Sequence, residues 1–295
     1  MQITFTCTIK INMKTIAVLT DLSANANHAT RFALHMAKKM KARVSLFSIN
    51  AVPARAKLQL AGNQQDMFDF GAGSELADFA IKAELEMAER YFPGSYLPEI
   101  TVDSGSSELE DVMTDIAHNS EIAMIVTAPT GNADLATFML SDTCNRIIDW
   151  AAVPVMVIPH CAAVRNFEKI AFATTLHEED INSIAELGAL MEAFTAELMV
   201  VHLNEDPDNL LIRDAEQKLN RDLYKKLNCG GVYFRSVADN KPNKDWNWLS
   251  ANKKTELLAL MQHPREQMTK FFTRGQNLHA THHITIPVIV LPKRP

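Results

Sequence analysis

Short unbroken apolar runs alternate along this chain with longer stretches in which apolar residues return every three or four positions. Residues 16–20 form the first run and stop at Asp21, the pattern of a strand buried on both faces of a parallel sheet. Ser23 is placed to cap the helix that follows. Ala29, Phe32, Ala33, Met36, Ala37 and Met40 fall on one face of that helix, with Arg31, Lys38 and Lys39 on the other. Residues 44–49 give the next strand, and a helix between two such strands predicts a right-handed βαβ unit. The period lapses over 52–73, which holds Pro53, Gly62, Gly71 and Gly73 and reads as a loop. Ser74 then opens a helix carrying Leu76, Phe79, Ala80, Ala83, Met87 and Tyr91. Strands are expected at 100–102, 123–127 and 153–158. Helices are expected at 107–118 and from the loop 128–134 to about Trp150.

The pattern is then written a second time. Residues 15–50 align without a gap on residues 169–204, at an offset of 154. Ile16, Ala17, Thr20, Leu22, Ala42 and Asn50 meet Ile170, Ala171, Thr174, Leu176, Ala196 and Asn204. The closing segments also match, Val153-Pro-Val-Met-Val-Ile-Pro against Ile286-Pro-Val-Ile-Val-Leu-Pro. On the second helix Ala33, Ala37 and Met40 become Leu187, Met191 and Phe194, which enlarges side chains and keeps the period. Further strands are expected at 198–203, 232–237, 257–261 and 288–291, and helices at 211–227, 246–252 and 273–283. The expected fold class is α/β: two tandem Rossmann-like, open, doubly wound, parallel five-stranded sheets with helices on both faces. The domains are read as 13–161 and 166–295. Residues 1–12 have no counterpart before Lys169 and are read as an upstream extension, with Met13 as the natural start.

Composition narrows the classes. A formal charge of −6 gives no basic field for nucleic acid or an anionic membrane. Cys7, Cys144, Cys161 and Cys229 lack C-x-x-C spacing and are too sparse for a disulfide framework, which suits a reducing compartment, and cytoplasm is the expected location. No apolar run reaches the length of a membrane-spanning helix, and the N-terminus lacks the pattern of a signal peptide.

The strand ending in Thr20-Asp-Leu-Ser, the segment Met124-Ile-Val-Thr-Ala-Pro-Thr-Gly131 with the helix through Arg146, and the closing strand together resemble the universal stress protein family. The resemblance implies an adenine nucleotide alpha hydrolase-like fold. In nucleotide-binding members an aspartate after the first strand and the backbone after the second hold the nucleoside, and a Gly-x2-Gly-x9-Gly-Ser/Thr loop after the fourth wraps the phosphates. Asp21 and Ile49 match the first two positions. Ala128, Gly131, Ser141 and Asp142 stand where the loop has Gly, Gly, Gly and Ser or Thr, so Gly131 alone is retained. A carboxylate at Asp142 repels phosphate where a hydroxyl donates to it. In the second half Thr175 replaces the aspartate, and Gln262, His263 and Arg265 occupy the loop.

Each residue also has a plainer role. Asp21 suits the capping of the first helix beside Ser23, and Gly131 suits a turn at positive φ. His263, His279, His282 and His283 suit a helix C-terminus without any metal. Trp246 and Trp248 lie on opposite sides of a short segment, and Cys144 fits a buried small hydrophobe. Gly-x-Ser-x-Gly, Gly-x4-Gly-Lys-Ser/Thr and Ser-Gly-Gly-x-Asp-Ser are all missing, and no cation lies between Ala128 and Phe138 to assist phosphoryl chemistry, so no enzyme is expected. Two functions remain open: a non-catalytic regulatory or interaction module acting on an unidentified protein partner, and a stress protein binding ATP or AMP at Asp21, Ile49 and Gly131. The resemblance also implies pairing of fifth strands, here as an intramolecular pseudo-dimer, with a further homodimer left open.

Overall fold

The computed structural model describes residues 14–49, 76–83, 96–103, 108–129, 138–139, 141–177, 179–204, 206–226, 231–238, 255–262 and 285–293. Residues 1–12, the loop 52–73, Gly131, Trp246, Trp248, the four histidines from His263 to His283, Arg265, and the expected helices at 246–252 and 273–283 lie outside these.

The first strands are β1 (Thr15–Thr20), β2 (Arg43–Ser48), β3 (Ile100–Asp103), β4 (Ile122–Thr127) and β5 (Val155–Val157). Between them run α1 (Ala24–Met40), α2 (Leu109–His118) and α3 (Asp142–Trp150), and residues 76–83 are helical with Leu76, Ala80 and Ala83 buried. The later strands are β6 (Lys169–Thr174), β7 (Glu197–Asn204), β8 (Val232–Ala238), β9 (Leu257–Met261) and β10 (Val288–Leu291). Their helices are α4 (Asp180–Glu186), α5 (Gly188–Phe194) and α6 (Leu210–Lys226).

Two compact units result. One holds β1 to β4, α1, α2 and β5; the other holds α3 as far as Asp149 and everything from β6 onward. The strand order is β3-β2-β1-β4-β5 in the first unit and, running outward from the closing strand, β10-β9-β6-β7-β8 in the second. The two windings are the same. The strand pairs described within each unit are parallel, and β1, β9 and β10 are buried at every residue, as strands covered on both faces must be. Winding reverses between β1 and β4, and again between β6 and β9. At such points an open α/β sheet leaves a crevice outside the carboxyl ends of its strands.

The offset of 154 also holds in the backbone. Leu22 and Leu176 both sit at positive φ, 61° and 65°, as do the helix C-caps Lys41 and Thr195 at 52° and 54°. A leucine there is strained. In each copy a threonine hydroxyl offsets the strain by accepting the leucine amide, Thr20 from Leu22 at 3.0 Å and Thr174 from Leu176 at 2.9 Å.

One expected element is divided. The pattern through Ile184, Leu187, Met191 and Phe194 predicts one helix, but α4 ends before Leu187 and α5 begins at Gly188. The Leu187 amide donates to Ile184, three residues back, at 3.1 Å, which tightens the turn. Gly188 stands where α1 has Leu34, and glycine weakens a helix interior by roughly 1 kcal/mol. The strand expected at 153–158 is also shorter, at Val155–Val157.

Candidate functional site

In the first unit the carboxyl ends of β1, β2 and β4 bring Asp21, Ile49 and Ala128 to the crevice. Asp21 is half-buried, and its Oδ1 accepts the Ser23 amide at 3.0 Å, while Ser23 Oγ accepts the Ala26 amide at 3.2 Å. Two nested side-chain turns therefore start α1. Ile49 is buried, and its amide donates to the Thr20 carbonyl at 2.9 Å. Ala128 is buried directly after β4. Asn25, in the first turn of α1, donates from Nδ2 to the Pro129 carbonyl at 3.0 Å, bridging the point where the winding reverses. The Ser48 hydroxyl, at the end of β2, is buried with no hydrogen-bond partner.

Ser141 and Asp142 belong to the other unit. Ser141 Oγ accepts the Cys144 amide at 3.1 Å and so caps α3, and Asp142 is exposed in its first turn, where a negative charge complements the helix dipole. Cys144 is fully buried with its Sγ 3.8 Å from Met139 Sδ, and burial pushes its thiol pKa up to about 12. It is an inert small hydrophobe, as its place on an amphipathic helix suggests.

The second unit fills the matching crevice differently. Thr175, in the place of Asp21, is exposed. Thr174 donates its hydroxyl to Asp180 Oδ2, and Asp180 is 1% exposed. Thr174, His202 and Ser236 lie side by side in register at the ends of β6, β7 and β8. Above them α6 carries Glu216. Its Oε1 accepts from His202 Nδ1 at 2.7 Å, Ser236 Oγ at 2.6 Å and Asn204 Nδ2 at 3.1 Å. Burial works against the Glu216 charge, but the hydrogen bonds from Ser236 and His202, the His202 charge and the Asn204 amide outweigh it and hold the carboxyl below its ordinary value. After β9, Gln262 takes the position of Ala128's successors as a brace. Its amide donates to the Leu291 carbonyl at 2.8 Å, its Oε1 accepts the Lys293 amide at 3.2 Å, and its Nε2 lies 3.4 Å from Asp149 Oδ1.

The sequence reading missed Asn25, Ser48, Asp180, His202 and Glu216. One of them carried a signal, because the 154-residue offset sets Asp180 against Ala26, a polar gain at a core position of the helix.

The family model of the universal stress protein family matches residues 12–159. The chain belongs to the universal stress protein family. Among solved structures, a universal stress protein from Archaeoglobus fulgidus is similar over 95% of this chain and 97% of its own, with a TM-score of 0.57 at 13% identity. A putative universal stress protein from Pseudomonas aeruginosa is similar over 95% and 94%, with a TM-score of 0.53 at 13% identity. The cytoplasmic domain of a prokaryotic cation chloride cotransporter is similar over 95% of both chains at 0.50 and 10% identity. At these identities the likeness is one of fold. Among curated proteins none matches. No helix among the described residues is long and apolar enough to cross a membrane, and no group of three His, Cys, Asp or Glu among them is arranged to hold a metal ion.

Proposed function

We propose that this universal stress protein is a non-catalytic stress-response protein, a tandem of two family domains that works as a regulatory or interaction module toward a protein partner in the cytoplasm. What carries the reading is the Glu216 carboxylate, held beside the ends of β7 and β8 by His202, Asn204 and Ser236, where a phosphate would meet charge of its own sign. The shared winding of the two units supports the tandem reading. Absence of catalysis is supported by the wiring of the polar cluster. Ser236 and His202 both donate to the same Glu216 oxygen, so the imidazole does not activate the hydroxyl as a base would.

ATP or AMP fits the first unit poorly. Asp21 is engaged by the Ser23 amide, and Ala128 is buried where the family motif has glycine. One observation favours nucleotide there all the same: the buried, unpartnered Ser48 hydroxyl beside Ile49, the residue whose family counterpart holds the base through its backbone. Equilibrium dialysis with labelled ATP and AMP on ligand-stripped protein separates the readings. We expect no saturable binding in the micromolar range. Micromolar binding abolished by Asp21→Ala overturns the module reading for the first unit.

A further inference from the structure

We propose that the solvent-facing back of α6 is a self-complementary surface, on which a second copy of this chain docks its own α6 in the antiparallel sense. The pairing is independent of what either crevice binds.

Leu219 and Leu223 are buried and fix the side of α6 that meets the sheet, beside the Glu216 oxygen that accepts from His202, Asn204 and Ser236. At about 100° per residue, Leu210, Asp214, Gln217, Arg221 and Tyr224 fall within an arc of about 80°, roughly opposite those two leucines. All five are exposed, Leu210 to 70% and Tyr224 to 69%. Their separations run four, three, four and three, the spacing that keeps a stripe straight along a helix and lets a second helix pack on it. None of the five side chains is hydrogen-bonded or ion-paired among the described residues.

The stripe is apolar at both ends, amide at its centre and charged between, with an acid on one side of Gln217 and a base on the other. Asp214 and Arg221 are complementary, yet they stand about 10 Å apart along the axis and make no ion pair with each other. A second α6, related by a two-fold axis at Gln217 and running the opposite way, closes that distance. Asp214 of each copy then meets Arg221 of the other, and Leu210 of each lies against Tyr224 of the other. The two Gln217 amides face each other across the axis.

Charge selects this arrangement. A parallel pairing would set Asp214 against Asp214 and Arg221 against Arg221, and like charges facing each other suppress a contact. Arg213, Lys218 and Lys225 flank the stripe and are exposed, so they stand at the rim of the pairing, where solvent and salt screen their repulsion. α6 has 17 residues and is about 25 Å long. One helix pair of that length makes a small interface, which suits a weak and reversible dimer.

Sedimentation velocity on the full chain, from about 5 to 500 µM at moderate salt, is expected to show a monomer passing into a dimer. Arg221→Asp and Asp214→Arg are then made as two separate variants, so that one stripe carries two acids and the other two bases. Each variant alone should raise the dissociation constant at least about tenfold, with an unchanged circular dichroism spectrum, since both positions are exposed. An equimolar mixture of the two should regain the dimer, because every acid again faces a base. A wild-type chain that stays monomeric throughout, or a mixture no more associated than its components, overturns the pairing. A dimer that both variants form as readily as the wild type also overturns it, and assigns self-association to another surface.

Discussion

At the carboxyl end of β1 the side chains in register are Thr20 and Ser48; at the matching end of β6 they are Thr174 and His202, continued on β8 by Ser236. The same threonine catches the same leucine amide in both units. The difference lies in what the helices bring down onto that row. α1 presents Ala26, buried and small, and leaves the Ser48 hydroxyl without a partner. α4 presents Asp180 to Thr174, and α6 gathers His202, Asn204 and Ser236 around one oxygen of Glu216. A shared backbone is thus compatible with one crevice whose polar groups are incompletely satisfied and another whose polar groups satisfy each other. The second is more strongly specified and less able to admit an anionic ligand.

The sharpest way to break this contrast is Glu216→Ala. It leaves three donors on two strands without their acceptor, and should cost about 2–4 kcal/mol. Hydrogen-exchange mass spectrometry should place the loss on α6, β7 and β8 and leave β1, β2 and β4 protected. Equal loosening of both units contradicts the localisation. The effect of pH comes next. The folded pKa of Glu216 lies below its ordinary value of 4.5, so its contribution is complete above that ordinary value and is lost as pH falls through the folded one. Acid should therefore loosen the second unit with a component that Glu216→Gln removes, read as a flatter stability profile below the ordinary value of 4.5 in the variant.

Asp21→Ala sharpens the comparison from the other side. If the carboxylate chiefly holds the turn before α1, the variant should lose about 1 kcal/mol in denaturant melts. A neutral result would mean that the Ser23 cap is sufficient alone. The smallest effect expected is a gain. Gly188 has open space around the position of an added Cβ and no positive φ, so Gly188→Ala should stabilise α5 by up to about 1 kcal/mol. Destabilisation there would show that the break between α4 and α5 is needed to seat Asp180.

Much of the scaffold was legible in the sequence. Fully buried parallel strands read as unbroken apolar runs, so β1, β4, β9 and β10 were found close to their true bounds, and the period of α1 and α6 marked their helices. Ser23 as N-cap and Cys144 as core followed from the same spacing. The division of α4 from α5 was harder to see, since the apolar period runs through Leu187 undisturbed and only Gly188 hints at a break. The site was less legible still. Asp21 announces itself as a residue after a strand, but whether its carboxylate turns to the Ser23 amide or outward is decided by a left-handed Leu22 that no side-chain pattern encodes.

The sequence by itself determined the order of the described strands and helices, the echo of the opening and closing segments, and the family to which they belong, because each depends on the local period of burial or on residues in line. Only the tertiary structure decided that His202, Asn204 and Ser236 converge on Glu216. Those four come from two strands and a helix, and their meeting depends on strand register and on the rotation of α6 about its own axis. Both are set by packing across the unit, which no single segment carries.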